Sequence, residues 1–182
     1  MIDLQNKTPK ILVVGDLMID HYLWGLCERI SPEAPVQVVN VDRESTVLGG
    51  AGNVINNLNS LGAEVGVISV IGECKVSEEL KGLLTDIKVD TQYLITQKDR
   101  VTSKKSRIIA AHQQVVRYDR ESTEEINNNS QMAILEFFKA IVNNYDVILL
   151  SDYGKGVLTF ELTQSLITIA NENEKKLLVD PK

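Results

Sequence analysis

Three glycines in four positions, Gly49-Gly50-Ala51-Gly52, run into Asn53 and then into apolar residues at helical spacing, Val54, Ile55, Leu58 and Leu61. Glycine has no Cβ to hold a ligand away from the backbone, and it permits positive φ. A helix opening at this point would aim its first N–H groups and its positive dipole end at whatever sits on the glycines. Asn53 adds an amide that both donates and accepts, which suits a pair of hydroxyls. Together these make a cradle for a polyol, although a glycine cluster before a helix also reads as a plain turn. Two other chemistries fail on the letters. A dinucleotide fingerprint needs a third glycine where Ile55 stands, and a P-loop needs Ser or Thr where Gly156 follows Gly154-Lys155.

Carboxylates and cations stand where such a cradle could use them. Asp16 follows the apolar run 10–15, Asp20 lies four residues on, and Asp152 ends the apolar run 146–151. In open α/β sheets ligands collect beyond the carboxyl ends of the strands, where a carboxylate can accept hydrogen bonds from hydroxyls. Lys105 and Arg107 share one strand face at spacing two. They are phosphate ligands if they face a cleft, and ordinary edge protection if they do not.

The elements that must position these groups alternate β and α. The continuous apolar run 10–15 predicts a strand buried on both faces of a parallel sheet, 64–72 and 146–152 predict two more of the buried type, and 176–180 predicts a fourth strand. Helical spacing predicts helices behind Asn53 and ending at Gly62, over 77–86 with Ser77 as cap, over 132–142 behind the polar break 127–130, and over 158–170. Stretches near 20–25, 36–42 and 91–120 are β-rich with no helix among them, and a bend is expected at His112-Gln113-Gln114. They predict an accessory sheet beside a doubly wound α/β core.

At 182 residues the chain is one domain, or a domain with a small appendage. Its formal net charge is −6 and no basic run exceeds Lys104-Lys105, which argues against nucleic acid or an anionic membrane as partner. Two cysteines, Cys27 and Cys74, suit a reduced cytoplasm. With no C-x-x-C and two distant histidines, no zinc site is expected. No run approaches the roughly 18 apolar residues of a membrane-spanning helix.

Longer motifs carry a resemblance: Gly15-Asp16-x-Met18-x-Asp20, Arg29-Ile-Ser-Pro-Glu-Ala-Pro35, Gly49-Gly50-Ala51-Gly52-Asn53, His112-Gln-Gln-Val-Val-Arg117-x-Asp119, Ser151-Asp152-Tyr-Gly-Lys155-Gly156 and Val179-Asp180-Pro181-Lys182. The sequence resembles the ribokinase-like carbohydrate kinases, and within them the D-glycero-β-D-manno-heptose-7-phosphate kinases, over nearly all of this chain but only the first part of the family's kinase domain. The resemblance implies a doubly wound sheet with a small β-lid, built from the stretches near 20–25, 36–42 and 91–120. It also implies transfer of the ATP γ-phosphoryl to the anomeric hydroxyl of heptose 7-phosphate, with Mg²⁺, in ADP-heptose and lipopolysaccharide core synthesis.

By the same resemblance Asp16, Gly49, Gly50 and Asn53 would bind sugar hydroxyls, and Asp20 would join them or brace the lid. Lys105, Arg107 and Arg117 become the candidates for the 7-phosphate, because cationic donors pair well with a dianion. Lys155 would touch the substrate phosphate or the sugar, and Asp180 and Lys182 would lie towards the nucleotide. A homo-oligomer is expected, with the lid as its dimer surface.

The family's Gly-Ala-Gly-Asp loop with its catalytic aspartate is not in this sequence, nor is the Asn-x-x-Glu segment that organises magnesium, and Glu73-Cys74-Lys75 stands where the family has aspartate. The expectation is therefore a truncated part of a longer kinase, inactive alone, with its catalytic aspartate beyond Lys182. A parent with or without a fused nucleotidyltransferase fits this expectation. A non-catalytic sugar-phosphate-binding or assembly module, or a related kinase for another sugar, are the alternatives.

Overall fold

The computed structural model describes residues 8–111 and 113–182. His112, expected at the hairpin bend, lies outside the described residues. The central strand is β1 (Lys10–Gly15), where Leu12, Val13 and Val14 are fully buried. Parallel neighbours lie on both sides of it, β4 (Glu64–Gly72) and β8 (Val147–Ser151). With β5 (Leu94–Gln97) and β9 (Lys176–Asp180) at the edges, the order is β5-β4-β1-β8-β9.

Alternation along β1 sends its side chains into two cores. Val13 joins Ile55 of α1 (Ala51–Ser60) and Leu80 and Leu84 of α2 (Lys75–Asp86) on one face. Leu12 and Val14 join Ile134 and Phe138 of α3 (Asn128–Ile141) and Leu162 and Leu166 of α4 (Phe160–Glu172) on the other. This is the doubly wound sheet the apolar runs imply.

Several helix ends follow the sequence. Gly62 takes φ +89°, its N–H bonds Asn59 O at 2.9 Å, and Ala63 N–H bonds Leu58 O at 3.1 Å. That pair of bonds closes α1 as a Schellman motif. Asn127 caps α3 by accepting from Ser130 N–H at 2.9 Å. Ser77 is not a cap, however. The helix starts at Lys75 after Cys74, and Ser77 is buried, donating to Gly72 O and meeting Thr102 Oγ1.

A second, four-stranded sheet has the order β3-β2-β6-β7. Its strands are β2 (Leu17–Ile30), β3 (Gln37–Gly50), β6 (Ser103–Ala110) and β7 (Gln113–Arg120). It departs from the expected boundaries in two ways. First, β2 and β3 are much longer than 20–25 and 36–42, because Leu17, Met18 and Ile19 are all buried and hide the alternation. Consequently Gly49 and Gly50 are no loop; they pair with Met18 and Leu17 as the last residues of β3.

Second, the strand at 94–97 does not belong to this sheet. It pairs in parallel with β4, Ser69 against Leu94 through Gly72 against Gln97, and so extends the main sheet. Its β-branched composition was legible, but a four-residue strand carries no mark of which sheet it joins.

Candidate anion and hydroxyl site

The second sheet continues from the carboxyl end of β1 after a single residue, Asp16. Its root is fixed because Leu17 and Ile19 enter the same core as α1 and α2. The period of two then decides what faces outward on the other side. In the parallel β2/β6 pair, Asp20 lies beside Lys105 and Tyr22 beside Arg107. In the antiparallel β6/β7 pair, Lys105 lies opposite Asp119 and Arg107 opposite Arg117. The reverse face turns to α2, where Lys104 meets Glu79 at 3.1 Å.

On the front face the charges form one network. Arg107 Nη1 donates to Asp20 Oδ1 at 2.5 Å, and its guanidinium lies 5.3 Å from the Tyr22 ring centroid. Burial works to lower the Arg107 guanidinium, but the hydrogen bond and charge of Asp20 outweigh it and hold it above the ordinary arginine value. Lys105 Nζ reaches Asp119 at 3.1 Å and Glu121 at 3.5 Å, while Arg117 Nε reaches Asp119 at 3.1 Å. Burial would raise the Asp119 carboxyl, yet the Lys105 hydrogen bond and charge, helped by Arg117 and Arg107, hold it below the usual range. Lys155, from the loop after β8, joins through Glu121 Oε1 at 2.8 Å.

That loop is held from both sides. Asp16 is 1% exposed, and its carboxylate accepts the N–H groups of Tyr153 (2.9 Å), Lys155 (3.1 Å) and Val157 (3.1 Å). Its oxygens therefore brace the loop that carries Lys155, with one of the carboxylate's roughly four lone-pair sites left for a hydroxyl. Arg100, buried and overlooked by sequence reasoning, donates to Glu124 O at 3.1 Å and to Lys155 O. Burial draws its pKa down against the opposing charges of Asp16 and Glu124.

The glycines serve close approach. A Cβ on Gly49 would meet Asp20 Oδ2 at 2.5 Å, so glycine there lets the Asp20 carboxylate lie against β3. Gly50 takes φ +53°, and a Cβ on it would stand 2.7 Å from Asp16 O. Behind it α1 opens with no side-chain cap, and Asn53 is exposed in its first turn.

The structure thus brings Asp20, Lys105, Arg107, Arg117 and Lys155 together and sets Gly49 against Asp20. It does not bring Asp180 or Lys182 there. Both are exposed at the end of edge strand β9, where Asp180 O accepts Asp152 N–H at 2.9 Å and Lys182 lies against Gly154. Asp119 and Glu121 were missed. The alternation Arg117, Asp119, Glu121 opposite Lys105 and Arg107 would have revealed them once the hairpin was paired. A depression of about 510 Å³ beside Lys10, Glu64, Tyr93 and Tyr145 lies at the other end of the sheet, where the strands begin.

A doubly wound sheet with a strand-built sheet rooted at its carboxyl end is the build of solved sugar kinases. A carbohydrate kinase from Agrobacterium tumefaciens matches with TM-score 0.67 and 23% identity, over 94% of this chain and 53% of that one. Arabidopsis thaliana ribokinase, solved with ribose and ATP, matches with TM-score 0.63 and 14% identity, over 96% and 54%. At such identities the likeness shows the fold, which is ribokinase-like.

The sequence signature of pfkB family carbohydrate kinases matches residues 8–182, and the chain belongs to that family. It is 63% identical over 177 residues to the "Bifunctional protein HldE" of Aliarcobacter butzleri (strain RM4018), covering 97% of this chain and 37% of that protein. The protein of the same name from Sulfurimonas denitrificans (strain ATCC 33889 / DSM 1251) is 56% identical over 179 residues, 98% of this chain and 38% of that one. The chain spans little more than a third of the length of these curated relatives.

Proposed function

We propose that this chain is the sugar-phosphate-binding part of an ATP-dependent kinase acting on D-glycero-β-D-manno-heptose 7-phosphate and giving the 1,7-bisphosphate. The observation that carries the reading is the convergence of Lys105, Arg107, Arg117 and Lys155 on one face, beside Asp20 and the glycine end of β3. Asp20, the backbone at Gly49 and Gly50, and Asn53 hold sugar hydroxyls, and the cations hold the 7-phosphate. The second sheet is the lid. Closed over the sugar it excludes water and so favours transfer to the sugar over hydrolysis. The identity to the bifunctional HldE proteins supports the choice of sugar through the heptose-branch motifs.

The reaction joins the anomeric oxygen to the γ-phosphorus, breaks the bond to the β-phosphate oxygen and releases ADP, and the hydroxyl proton passes to a base. Asp16 is tied to three amides and Asp20 to Arg107, so neither of these two is the base that takes that proton. Transfer also depends on electrostatic stabilisation around the moving phosphoryl group. Asp180 and Lys182 lie on the nucleotide side in this reading, and the Arabidopsis ribokinase solved with ribose and ATP supports ATP as donor. Among the described residues no three His, Cys, Asp or Glu come together to hold a cation, so Mg²⁺ in the parent enzyme would be carried largely by the nucleotide phosphates and water.

Calorimetry with heptose 7-phosphate, paired with an ADP-release assay, tests the proposal. Binding without turnover in this chain, with turnover in a protein of the relatives' full length, is the expected result. Binding with no turnover in either favours a non-catalytic module, and preference for fructose or ribose phosphates favours another sugar.

We further propose a homo-oligomer through the outer half of the lid, where Leu26, Ile30, Val36 and Val41 are exposed. A cytoplasmic setting is proposed from the two free cysteines. No helix of the described residues is long and apolar enough to cross a membrane.

A further inference from the structure

Four cations, Lys105, Arg107, Arg117 and Lys155, share their face with three carboxylates, Asp20, Asp119 and Glu121. The three carboxylates are not held alike. Asp20 is paired by Arg107 in the same sheet, at 2.5 Å. Asp119 is gripped by Lys105 and Arg117, both at 3.1 Å. Glu121 follows the last residue of β7 and reaches out of its sheet to Lys155 on the loop of the main domain, at 2.8 Å. Its other oxygen, Oε2, is buried and makes no hydrogen bond; its nearest cation, Lys105 Nζ, stands 3.5 Å away.

Oε2 thus has its cation at a longer distance than any pair that holds Asp20 or Asp119, so its half of the Glu121 carboxylate is the weakest grip in the network. Glu121 also sits between the two lysines that come from different sheets. One surplus positive charge remains in the network while Glu121 is in place, and two when it swings out, which matches a phosphate dianion. Oε2 is closed off, so no sugar hydroxyl can reach it without that swing.

We propose that Glu121 is a displaceable internal counter-ion: it occupies the space between Lys105 and Lys155 until a phosphate dianion takes its place, and it thereby sets the site's selectivity against weaker anions. This rests on the assignment of the phosphate to these cations. Displacement frees Oε2 to water and gives both lysines a ligand with three terminal oxygens. Because the link from Glu121 to Lys155 joins the two sheets, the exchange also transfers the lid's tether from a side chain to the substrate.

The test is the affinity of the 182-residue chain for inorganic phosphate and for heptose 7-phosphate, by calorimetry, in wild type, Glu121→Gln and Glu136→Gln. The last removes one exposed carboxylate on α3 and controls for net charge. A site open in roughly one molecule in ten binds about tenfold more weakly than an open one. Glu121→Gln is therefore expected to bind inorganic phosphate about tenfold more tightly than both wild type and Glu136→Gln. A simple structural tie predicts the reverse, since loosening Lys155 would weaken binding.

Equal or weaker phosphate binding by Glu121→Gln, while wild type binds the sugar phosphate, overturns the counter-ion and leaves the phosphate site standing. No binding of either ligand by any of the chains overturns both. Should Glu121→Gln not fold, the side-chain carboxyl carbon resonance of Glu121 in the wild type decides. Saturating phosphate should move it to the position of a solvated carboxylate, and an unmoved signal overturns the proposal.

Discussion

Replacing Asp16 by Ala separates its two possible tasks. The carboxylate is 1% exposed and accepts three backbone N–H groups, of which that of Val157 is buried and those of Tyr153 and Lys155 are partly so. Each orphaned buried donor costs about 1–3 kcal/mol. Water can reach the two partly buried amides, so they contribute towards the low end, and the total comes to about 2–5 kcal/mol. Arg100 adds to this, because Asp16 is one of the two charges that oppose the effect of its burial. Against a typical stability of about 5–15 kcal/mol, the loss is large. Urea unfolding should show it as a lower midpoint, and native-state hydrogen exchange should show faster exchange of the Tyr153, Lys155 and Val157 amides. If Asp16 were a hydroxyl ligand instead, stability would be unchanged and only sugar affinity would fall. A change in stability below about 0.5 kcal/mol with these amides still protected would refute the brace.

Three further outcomes follow from the same geometry. Gly49→Ala pushes a Cβ to within 2.5 Å of Asp20 Oδ2 and displaces that carboxylate from Arg107, so sugar-phosphate affinity should fall by more than about tenfold by calorimetry; unchanged affinity would remove Asp20 from the site. Asp119 has a depressed folded pKa, so its contribution to stability is present above the ordinary carboxylate range, near pH 4, and is lost as pH falls through the lower folded value. Acid melts of Asp119→Asn should accordingly lose less stability below about pH 4 than wild type, and parallel curves would contradict the ion pairs. Burial works to raise the Cys74 thiol, but hydrogen bonds involving Ser77 and Thr102 bring it down to about 7. Alkylation of Cys74 should therefore reach half its maximal rate near pH 7 and shift upward in Ser77→Ala; a midpoint at the ordinary thiol value of about 8.5 would contradict the hydrogen bonds.

The core was legible because its signals are local. Residues 10–15, 64–72 and 146–151 are dominated by apolar runs behind a single charged residue, and Gly62 and Asn127 close and open helices by their own chemistry. The second sheet was legible in kind but not in extent. Leu17 to Ile19 are buried together, and the polar residues 42–46 break the alternation although they lie inside β3.

What remained hidden depends on register. Nothing in the spacing of Asp16 says that three amides 137 to 141 residues away fold back onto it. Nothing around Arg100 in the sequence marks it as buried, because its setting is created by the distant carbonyls of Glu124 and Lys155. Asp119 and Glu121 acquire meaning only when β7 is laid against β6. Spacing singled out Lys105 and Arg107 and the resemblance added Arg117 and Lys155; strand pairing together with the loop braced by Asp16 brings the four to one face.

The most direct measurement is a crystal structure of this chain with heptose 7-phosphate bound. The account predicts phosphate oxygens within about 2.7–2.9 Å of at least two of Lys105, Arg107, Arg117 and Lys155, with the sugar ring beside Asp20 and the end of β3. A phosphate seated at the depression lined by Lys10 and Tyr145, or a ring that avoids Gly49 and Asp20, would contradict it.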